Sequence, residues 1–433
     1  MLDISKVSKL ISDTDSIICY GIVNKVSGIS LEATGSTVCI GEVCRIYSQN
    51  GENSVLAEVV GFKGTSIVLM ALGDLKGIGP GSRVISTKGP LTVQISDNIM
   101  GRVLNGLGEP IDKKGDIDKD FYLDVEDKPP NPLQRKRIKE VLPLGIKAID
   151  GLLTCGVGQR IGIFSGSGVG KSTLLGMIAR NASADINIIS LVGERGREVN
   201  DFIEKDLKAE GLKKSVLVVA TSDQPALVRL KSAMLGTAIA EHFRDKGLKV
   251  LLLMDSITRF AMAQREIGMS VGEPPVSRGY TPSVFTLLPK LLERTGNSAT
   301  GSITALYTVL VEGDDLNEPI ADAVRGILDG HIVLSRDLAN RNHYPAIDVL
   351  ASISRLMPDI VENEHFEKAG AIKNKMAVYK DAEDIINIGA YQKGSNPDID
   401  DALQSVGAIN AMLKQGINEK FSFEDTMQMI NSI

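Results

Sequence analysis

The sequence predicts an α/β protein in which a parallel sheet with helices on both faces lies between a small β domain and a helical domain. Apolar strands alternate with amphipathic helices between about residues 141 and 350, the pattern of such a sheet. Short β-rich segments separated by glycine and polar turns precede it, at the spacing of a small barrel or sandwich. No strand signal remains after about residue 358. We therefore predict three domains, over residues 1–90, 91–358 and 359–433.

Hydrophobic periodicity predicts the individual elements. The N-terminal strand candidates include 38–40, 58–62 and 66–70, and a helical stripe (Val7, Leu10 and Ile11) precedes them. The central strand candidates are 161–164, 186–192, 216–219, 250–254, 303–310 and 332–334. Two helical stripes follow, Ile372, Met376 and Tyr379, then Ala402, Val406, Ile409 and Leu413, with a break at 393–397.

Composition argues against several classes of protein. The 433 residues carry a formal net charge of -6, which disfavours a whole-surface attraction to nucleic acid or anionic lipid. No apolar run reaches the roughly eighteen residues of a membrane span, and the N-terminus lacks the apolar core of a signal peptide. The four cysteines form no C-x-x-C pair, so we expect free thiols, no zinc site and a cytoplasmic protein.

A phosphate-binding loop is predicted at residues 165–172 (SGSGVGKS), between a strand and a helix. The glycines let backbone N–H groups approach phosphates, and the helix N-terminus adds partial positive charge. Lys171 should reach the β and γ phosphates, and the Ser172 hydroxyl should bind Mg²⁺. Ser165 replaces the consensus glycine, a change that we expect to be harmless. The residues predicted to contact the nucleotide are Ser167, Gly168, Val169, Gly170, Lys171, Ser172 and Thr173.

Two acidic residues end apolar strands of the predicted sheet. Asp255 follows the run 250–254, and ligands bind at the carboxyl edge of such sheets. We therefore predict that Asp255 holds Mg²⁺, directly or through water. Glu194 follows the strand 186–192, where a general base could orient the attacking water. ATP and Mg²⁺ are the ligands that this combination predicts.

Further motifs resemble those of the catalytic β subunits of rotary F-type ATPases. They are 100–110 (MGRVLNGLGEP), 193–195 (GER), 255–260 (DSITRF) and 344–348 (YPAID). Closer still is the resemblance to the type III secretion ATPases, carried by 275–285 (PVSRGYTPSVF), 288–296 (LPKLLERTG) and 327–332 (ILDGHI). Residues 312–320 (EGDDLNEPI) favour the flagellar over the virulence injectisome branch. The resemblance runs from about residue 20 to the end.

The resemblance implies a fold, an assembly and roles for further residues. The fold is a RecA-like P-loop ATPase core with an N-terminal β-barrel and a helical C-terminal domain, assembled as a homohexamer with nucleotide between subunits. Arg195 and Arg259 are expected near the γ-phosphate, and Tyr344 is expected to stack on the adenine. Arg355 matches the arginine finger that enters the neighbouring subunit's site.

The resemblance also implies partners and a location. We expect a stator-like regulator, a central stalk-like protein, the export gate, and export substrates with their chaperones. We expect no nucleic acid partner. The protein would act at the cytoplasmic face of the inner membrane and touch the membrane only through these partners.

Other functions are weighed against this interpretation. Glu194, where non-catalytic subunits of the rotary family carry glutamine, argues for catalysis. A ring helicase is disfavoured because the single-strand platform needs basic and aromatic residues, whereas aromatic content is 4%. A rotary ATP synthase catalytic subunit is disfavoured by the motifs at 275–285 and 288–296. An injectisome ATPase remains the alternative to a flagellar one.

Overall fold

The computed structural model describes residues 19–311, 313 and 315–433. The predicted helical stripe of Val7, Leu10 and Ile11 lies outside these residues. Within the described part of the chain, no helix is long and apolar enough to cross a membrane.

The N-terminal region forms a closed antiparallel barrel. Its strands are β1 (Gly21–Ser27), β2 (Ser30–Thr34), β3 (Val43–Tyr47), β4 (Ser54–Lys63), β5 (Ser66–Ala71) and β6 (Arg83–Ser86). They are arranged in the order β1-β2-β5-β4-β3-β6, and β6 pairs with β1. Closure leaves no unpaired strand edge, and alternating residues such as Leu31, Ile46 and Leu69 fill the interior.

The strand predicted at 38–40 is wrong, because these residues form a turn that leads into β3. The Glu42 N–H donates to the Cys39 carbonyl at 3.1 Å, and the Glu42 carboxylate accepts from the Cys39 N–H at 3.0 Å. Gly41 completes the turn with φ of +85°, a conformation that glycine adopts at little cost. The apolar residues therefore precede the barrel strand and do not belong to it.

A mostly parallel sheet forms the centre of the molecule. Its strands are β8 (Val103–Asn105), β10 (Arg160–Ser165), β11 (Ile186–Glu194), β12 (Ser215–Thr221), β13 (Lys249–Asp255), β14 (Gly296–Asn297), β15 (Ser302–Leu310), β16 (Gly330–Leu334) and β17 (Ile347–Ser354). The order is β17-β16-β10-β15-β13-β11-β12-β8, with β14 paired to β15. A separate two-stranded sheet joins β7 (Thr92–Ile95) to β9 (Phe121–Asp124). All six predicted central strands are present; β8, β14 and β17 were not predicted.

Helices cover both faces of the sheet, as predicted. They are α1 (Lys147–Leu152), α2 (Lys171–Asn181), α3 (Gly196–Asp201), α4 (Lys208–Lys213), α5 (Ala226–Asp245), α6 (Ile257–Ser270), α7 (Pro282–Leu292), α8 (Pro319–Ile327), α9 (Arg336–Asn340) and α10 (Met357–Ile360). A π-helical turn, Phe202–Leu207, lies between α3 and α4. A 3-10 turn, Pro132–Gln134, precedes α1.

The C-terminal region is helical in its described residues, as predicted. It contains α11 (Asn363–Asn387), α12 (Pro397–Leu413) and α13 (Phe423–Asn431), and the predicted break at 393–397 lies between α11 and α12. Helix α13 packs on α1, where a Cβ added to Gly151 would lie 2.5 Å from Ile430 Cδ1. The helical region is thus in direct contact with the central domain. The predicted domain boundaries after residues 90 and 358 stay predictions.

Gly176 allows α2, the helix that follows the phosphate loop, to pack closely against the π-helical turn. A Cβ at this position would lie 2.6 Å from Asp206 Cβ and 2.7 Å from the Asp206 carbonyl carbon. Both distances are shorter than a van der Waals contact, and one involves backbone. The absence of a side chain therefore sets the position of the phosphate-loop helix.

Gly176→Ala should lower the free energy of unfolding by about 1–3 kcal/mol, because the added methyl group overpacks this contact. Gly407→Ala is the matched control, since Gly407 also lies within a helix and a Cβ there would meet nothing within 4 Å. That control should be neutral or stabilise by about 0.4–1 kcal/mol. Thermal unfolding of the nucleotide-free protein measures both, and equal midpoints for the two variants would contradict this account.

Candidate active site

The predicted phosphate loop connects β10 to α2. Gly168 and Gly170 have φ of +80° and +90°, so both glycines adopt backbone conformations that other residues avoid. The loop ends where Lys171 opens the helix, whose first N–H groups have no partner within the helix. Ser165, in place of the consensus glycine, is buried, and its hydroxyl has no hydrogen-bond partner among the described residues. The loop has the geometry of an anion site.

Lys171 is paired with two carboxylates in a buried cluster. Its Nζ lies 2.5 Å from Asp255 Oδ1 and 3.6 Å from Glu194 Oε1. Asp255 ends β13 and Glu194 ends β11, which are neighbouring parallel strands. The carboxyl ends of parallel strands meet at one edge of a sheet, and this topology brings the two acids together. Sheet, loop and helix therefore place Lys171, Asp255 and Glu194 at one point.

Burial and neighbouring charge shift the proton affinities of this cluster. Burial, followed by the nearby charge of Asp255, raises the pKa of Glu194 to about 7, although Lys171 opposes the shift. Burial lowers the pKa of Lys171, but the charges of Asp255 and Glu194 outweigh it and raise the pKa overall. The ammonium therefore stays protonated, and Glu194 is poised to take up or release a proton near neutral pH.

Thr308 holds Asp255 in place and was not predicted from the sequence. Its buried hydroxyl donates to Asp255 Oδ1 at 2.6 Å from the neighbouring strand β15. The available signal was weak, because the mostly apolar run 303–310 contains Thr304 as well as Thr308. The contact of Thr308 with Asp255 follows only from the strand order, because β13 and β15 pair in the sheet.

The donor set suits a magnesium ion that is bound together with phosphate. Among the described residues, no group of three or more His, Cys, Asp or Glu side chains could hold a metal by itself. Mg²⁺ is commonly bound by one or two carboxylates together with substrate phosphates, and it keeps several waters. The Asp255 carboxylate and the Ser172 hydroxyl at the start of α2 are oxygen donors of this kind.

Of the two arginines predicted near the γ-phosphate, Arg259 packs against the end of β11, beside Glu194, and Arg195 does not. Arg259 Cβ would be 3.1 Å from a Cβ on Gly193, and the Arg259 Nε is buried without a hydrogen-bond partner among the described residues. The Arg195 side chain is 77% exposed and pairs with Glu198 at 3.6 Å. The structure thus does not bring the Arg195 guanidinium to Lys171.

Tyr344 lies beside the phosphate loop. A Cβ added to Gly170 would be 3.5 Å from both Cδ1 and Cε1 of the tyrosine ring. The ring is 40% exposed, so one part packs against the loop and another part faces solvent. A half-exposed aromatic ring next to a phosphate site can stack on a flat base.

Arg355 lies near the amino ends of the parallel strands, whereas the phosphate loop lies at their carboxyl ends. Strand β17 runs antiparallel to β16: its first residue Ile347 pairs with Leu334, and Ser354 pairs with Gly330. Strand β16 is parallel to β10, which leads into the loop, so the end of β17 lies at the amino edge. The exposed Arg355 side chain donates to the Arg325 carbonyl at 3.4 Å. It is therefore far from Lys171 of its own chain.

Family models match the three regions of the chain. Residues 23–88 match the ATP synthase alpha/beta family β-barrel domain, and residues 145–354 match the nucleotide-binding domain of that family. Residues 361–432 match the C-terminal domain of the T3SS EscN ATPase. A flagellum-specific ATP synthase of Bacillus subtilis is 53% identical over 97% of this chain and 96% of its own length. The chain belongs to the family of flagellar and type III secretion ATPases.

Other members of this family agree with the assignment. The type 3 secretion system ATPase of Xanthomonas euvesicatoria is 49% identical over 96% of this chain and 94% of its own length. The solved structure of the assembled ATPase EscN from enteropathogenic E. coli has a TM-score of 0.91 and 44% identity. The match covers 95% of this chain and 99% of the EscN chain. The predicted RecA-like fold with its barrel and helical domain is confirmed, and the chain is an ATPase of type III export.

Lys171→Met should destabilise the nucleotide-free protein by about 3–5 kcal/mol, because two buried carboxylates lose the cation with which they pair. The variant Lys171→Met/Glu194→Gln/Asp255→Asn should recover most of that loss, since its cluster is neutral. Lys205→Met is the control: Lys205 pairs with Asp201 at 2.5 Å in an exposed position, and the change should cost at most about 1 kcal/mol. Thermal unfolding without nucleotide measures all three, and a single variant as stable as the control would contradict the cluster's role.

Proposed function

We propose that the chain hydrolyses Mg²⁺-bound ATP at the phosphate loop and that this reaction serves protein export through the flagellar type III apparatus. The observation that supports this most directly is the buried pairing of Lys171 with Asp255 and Glu194 at the edge of the sheet. A phosphate ligand, a water-orienting base and a metal-binding carboxylate converge there.

Each residue of the cluster has one task in this proposal. Lys171 leaves its carboxylate partners and binds the β and γ phosphates, while N–H groups of the loop residues 167–173 surround them. Glu194 orients the attacking water and accepts its proton, which requires the ionised carboxylate. Asp255 and Ser172 would hold Mg²⁺, which neutralises phosphate charge when bound. Arg259, which packs beside Gly193 next to Glu194, stabilises charge on the γ-phosphate.

Two further residues complete the proposed site: Tyr344, which contacts the adenine, and Arg195. Tyr344 stacks on the adenine, which its position beside Gly170 supports. The assignment of Arg195 to the γ-phosphate requires its exposed side chain to turn inward from Glu198 when nucleotide binds.

The assembly in this proposal is a homohexamer with Arg355 acting in trans. Because Arg355 lies at the sheet edge opposite the phosphate loop, it cannot serve its own chain's nucleotide. A ring in which the Arg355 region of one subunit lies against the phosphate loop of the next brings this arginine to a nucleotide. The match to the assembled EscN structure supports such a ring.

The flagellar branch is favoured by the relatives. Flagellum-specific ATP synthases of Bacillus subtilis and Treponema pallidum are 53% and 49% identical to the chain. Type 3 secretion system ATPases of Xanthomonas euvesicatoria and Sinorhizobium fredii are 49% and 45% identical. An injectisome ATPase is the second candidate, because these ranges overlap.

The partners follow from the same family. EscN has been solved with its central stalk EscO, and that structure has a TM-score of 0.88 to this chain. We propose that the chain binds an equivalent stalk, a stator-like regulator, the export gate, and export substrates with their chaperones. It would act in the cytoplasm at the inner membrane and touch the membrane only through these partners.

Glu194→Gln should reduce kcat by about 100-fold or more, the usual contribution of a general base, while ATP affinity stays within about threefold. Lys171→Ala is the comparison and should lose turnover together with phosphate binding. ATPase assays with equilibrium ATP binding separate the two effects.

Because Glu194 has a pKa raised to about 7 and acts when ionised, kcat/KM of the unaltered protein should fall about tenfold per pH unit below that value. Full turnover in Glu194→Gln would exclude this residue as the base.

Arg355→Ala should abolish hydrolysis in the assembled protein and leave ATP binding by isolated subunits nearly unchanged. Arg355→Ala and Lys171→Ala subunits, each inactive alone, should regain activity when mixed. The first subunit supplies an intact phosphate loop and the second an intact Arg355. The specific activity of the unaltered protein should also rise steeply with its concentration. A fully active Arg355→Ala protein would remove the trans role.

A further inference from the structure

Gln415 is a buried residue outside the cluster, in the segment between α12 and α13. Its side chain bonds to the first residue of α1 and to the loop before it: the Lys147 N–H donates to Gln415 Oε1 at 3.0 Å, and Gln415 Nε2 donates to the Gly145 carbonyl at 2.9 Å. Gln415 Nε2 also lies 3.2 Å from the Glu419 carbonyl of its own segment. Its backbone N–H donates to the Tyr344 carbonyl at 2.9 Å. One residue thus connects the helical region, the central domain and the loop that carries Tyr344.

The residues that follow Gln415 are tied to the phosphate-loop helix. Arg180, in the last turn of α2, donates to the Ile417 carbonyl at 2.6 Å. Lys208 donates to the Asn418 side chain at 2.6 Å, and Lys420 pairs with Glu210. The segment 415–420 is therefore bonded to α2 through Arg180 and to α4 through Lys208 and Glu210.

We propose that Gln415 is a positioning residue that sets the place of Tyr344 relative to the phosphate loop and so determines how strongly the adenine is bound. The proposal rests on the adenine role given above to Tyr344. Gln415 makes its side-chain contacts with Lys147 and Gly145 in buried surroundings, where a lost partner leaves polar backbone groups unsatisfied. Those contacts fix residue 415, and its N–H in turn fixes the Tyr344 carbonyl.

Loss of Gln415 should affect the binding of the adenine base and not the binding of the phosphates. Phosphate binding depends on Lys171 and the loop amides, which Gln415 does not contact among the described residues. Base stacking depends on holding the tyrosine ring in place, because an aromatic contact pre-organised in the free protein loses less entropy on binding. Loss of Gln415 should therefore weaken the hold on adenine and leave the hold on triphosphate intact.

The test compares ATP with inorganic tripolyphosphate, which lacks base and sugar. Gln415→Met retains the side chain's length without its hydrogen bonds, and it should weaken ATP binding about tenfold while tripolyphosphate affinity changes less than about twofold. KM for ATP should rise similarly, with kcat nearly unchanged. Gln415→Glu, which keeps the acceptor for the Lys147 N–H, should fall between Gln415→Met and the unaltered protein.

Controls separate this inference from general damage and from the role of Tyr344. Asn418→Ala removes a contact of the same segment that does not involve Tyr344, and it should change neither affinity. The double variant Tyr344→Ala/Gln415→Met should bind ATP no more weakly than Tyr344→Ala alone, because both changes act through one ring. If Tyr344→Ala binds ATP normally, the adenine assignment fails. If Tyr344→Ala weakens ATP binding but Gln415→Met weakens neither ligand, or both equally, the positioning role of Gln415 is overturned.

Discussion

The ion pairing of Lys171 with Asp255 and Glu194 is the interaction on which the active site depends, because it keeps three charges buried in the absence of nucleotide. Buried charges are costly unless they are paired, and here two carboxylates share one ammonium. In the proposed mechanism Lys171 exchanges the carboxylates for phosphate, and the negative charge left behind suits a divalent cation. The cluster thus holds in position, without nucleotide, the three residues that we propose to act on it.

The direction of the outer strand β17 keeps Arg355 away from the phosphate loop of its own chain. An eight-residue strand such as β17 spans roughly 25 Å, and β17 runs away from the phosphate loop. Arg355 at its end is therefore separated from Lys171 by about the length of the strands. Under the proposed trans role of Arg355, catalysis requires a second copy of the chain, and hydrolysis is linked to assembly.

The helical region reaches the active site through backbone contacts as well as packing. Helix α13 packs on α1, and the segment before it connects Gln415 to Tyr344 and Ile417 to Arg180 of α2. Under the proposed role of Gln415, a displacement of the helical region would change these contacts and weaken the binding of the base, and the phosphate loop itself would stay unchanged.

The sequence by itself determined the order of the domains, the phosphate loop and the two carboxylates, because each is a local pattern of strand, turn and helix. It placed Lys171, Asp255 and Glu194 at one sheet edge because parallel strands share that edge. It did not show that residues 38–40 form a turn, since apolar character is compatible with strand and loop alike. The support of Asp255 by Thr308, the contacts of Gln415 and the distance of Arg355 from its own site were decided by the tertiary structure. Each depends on strand order, strand direction or contact between residues remote in sequence, and none of these is a property of neighbouring residues.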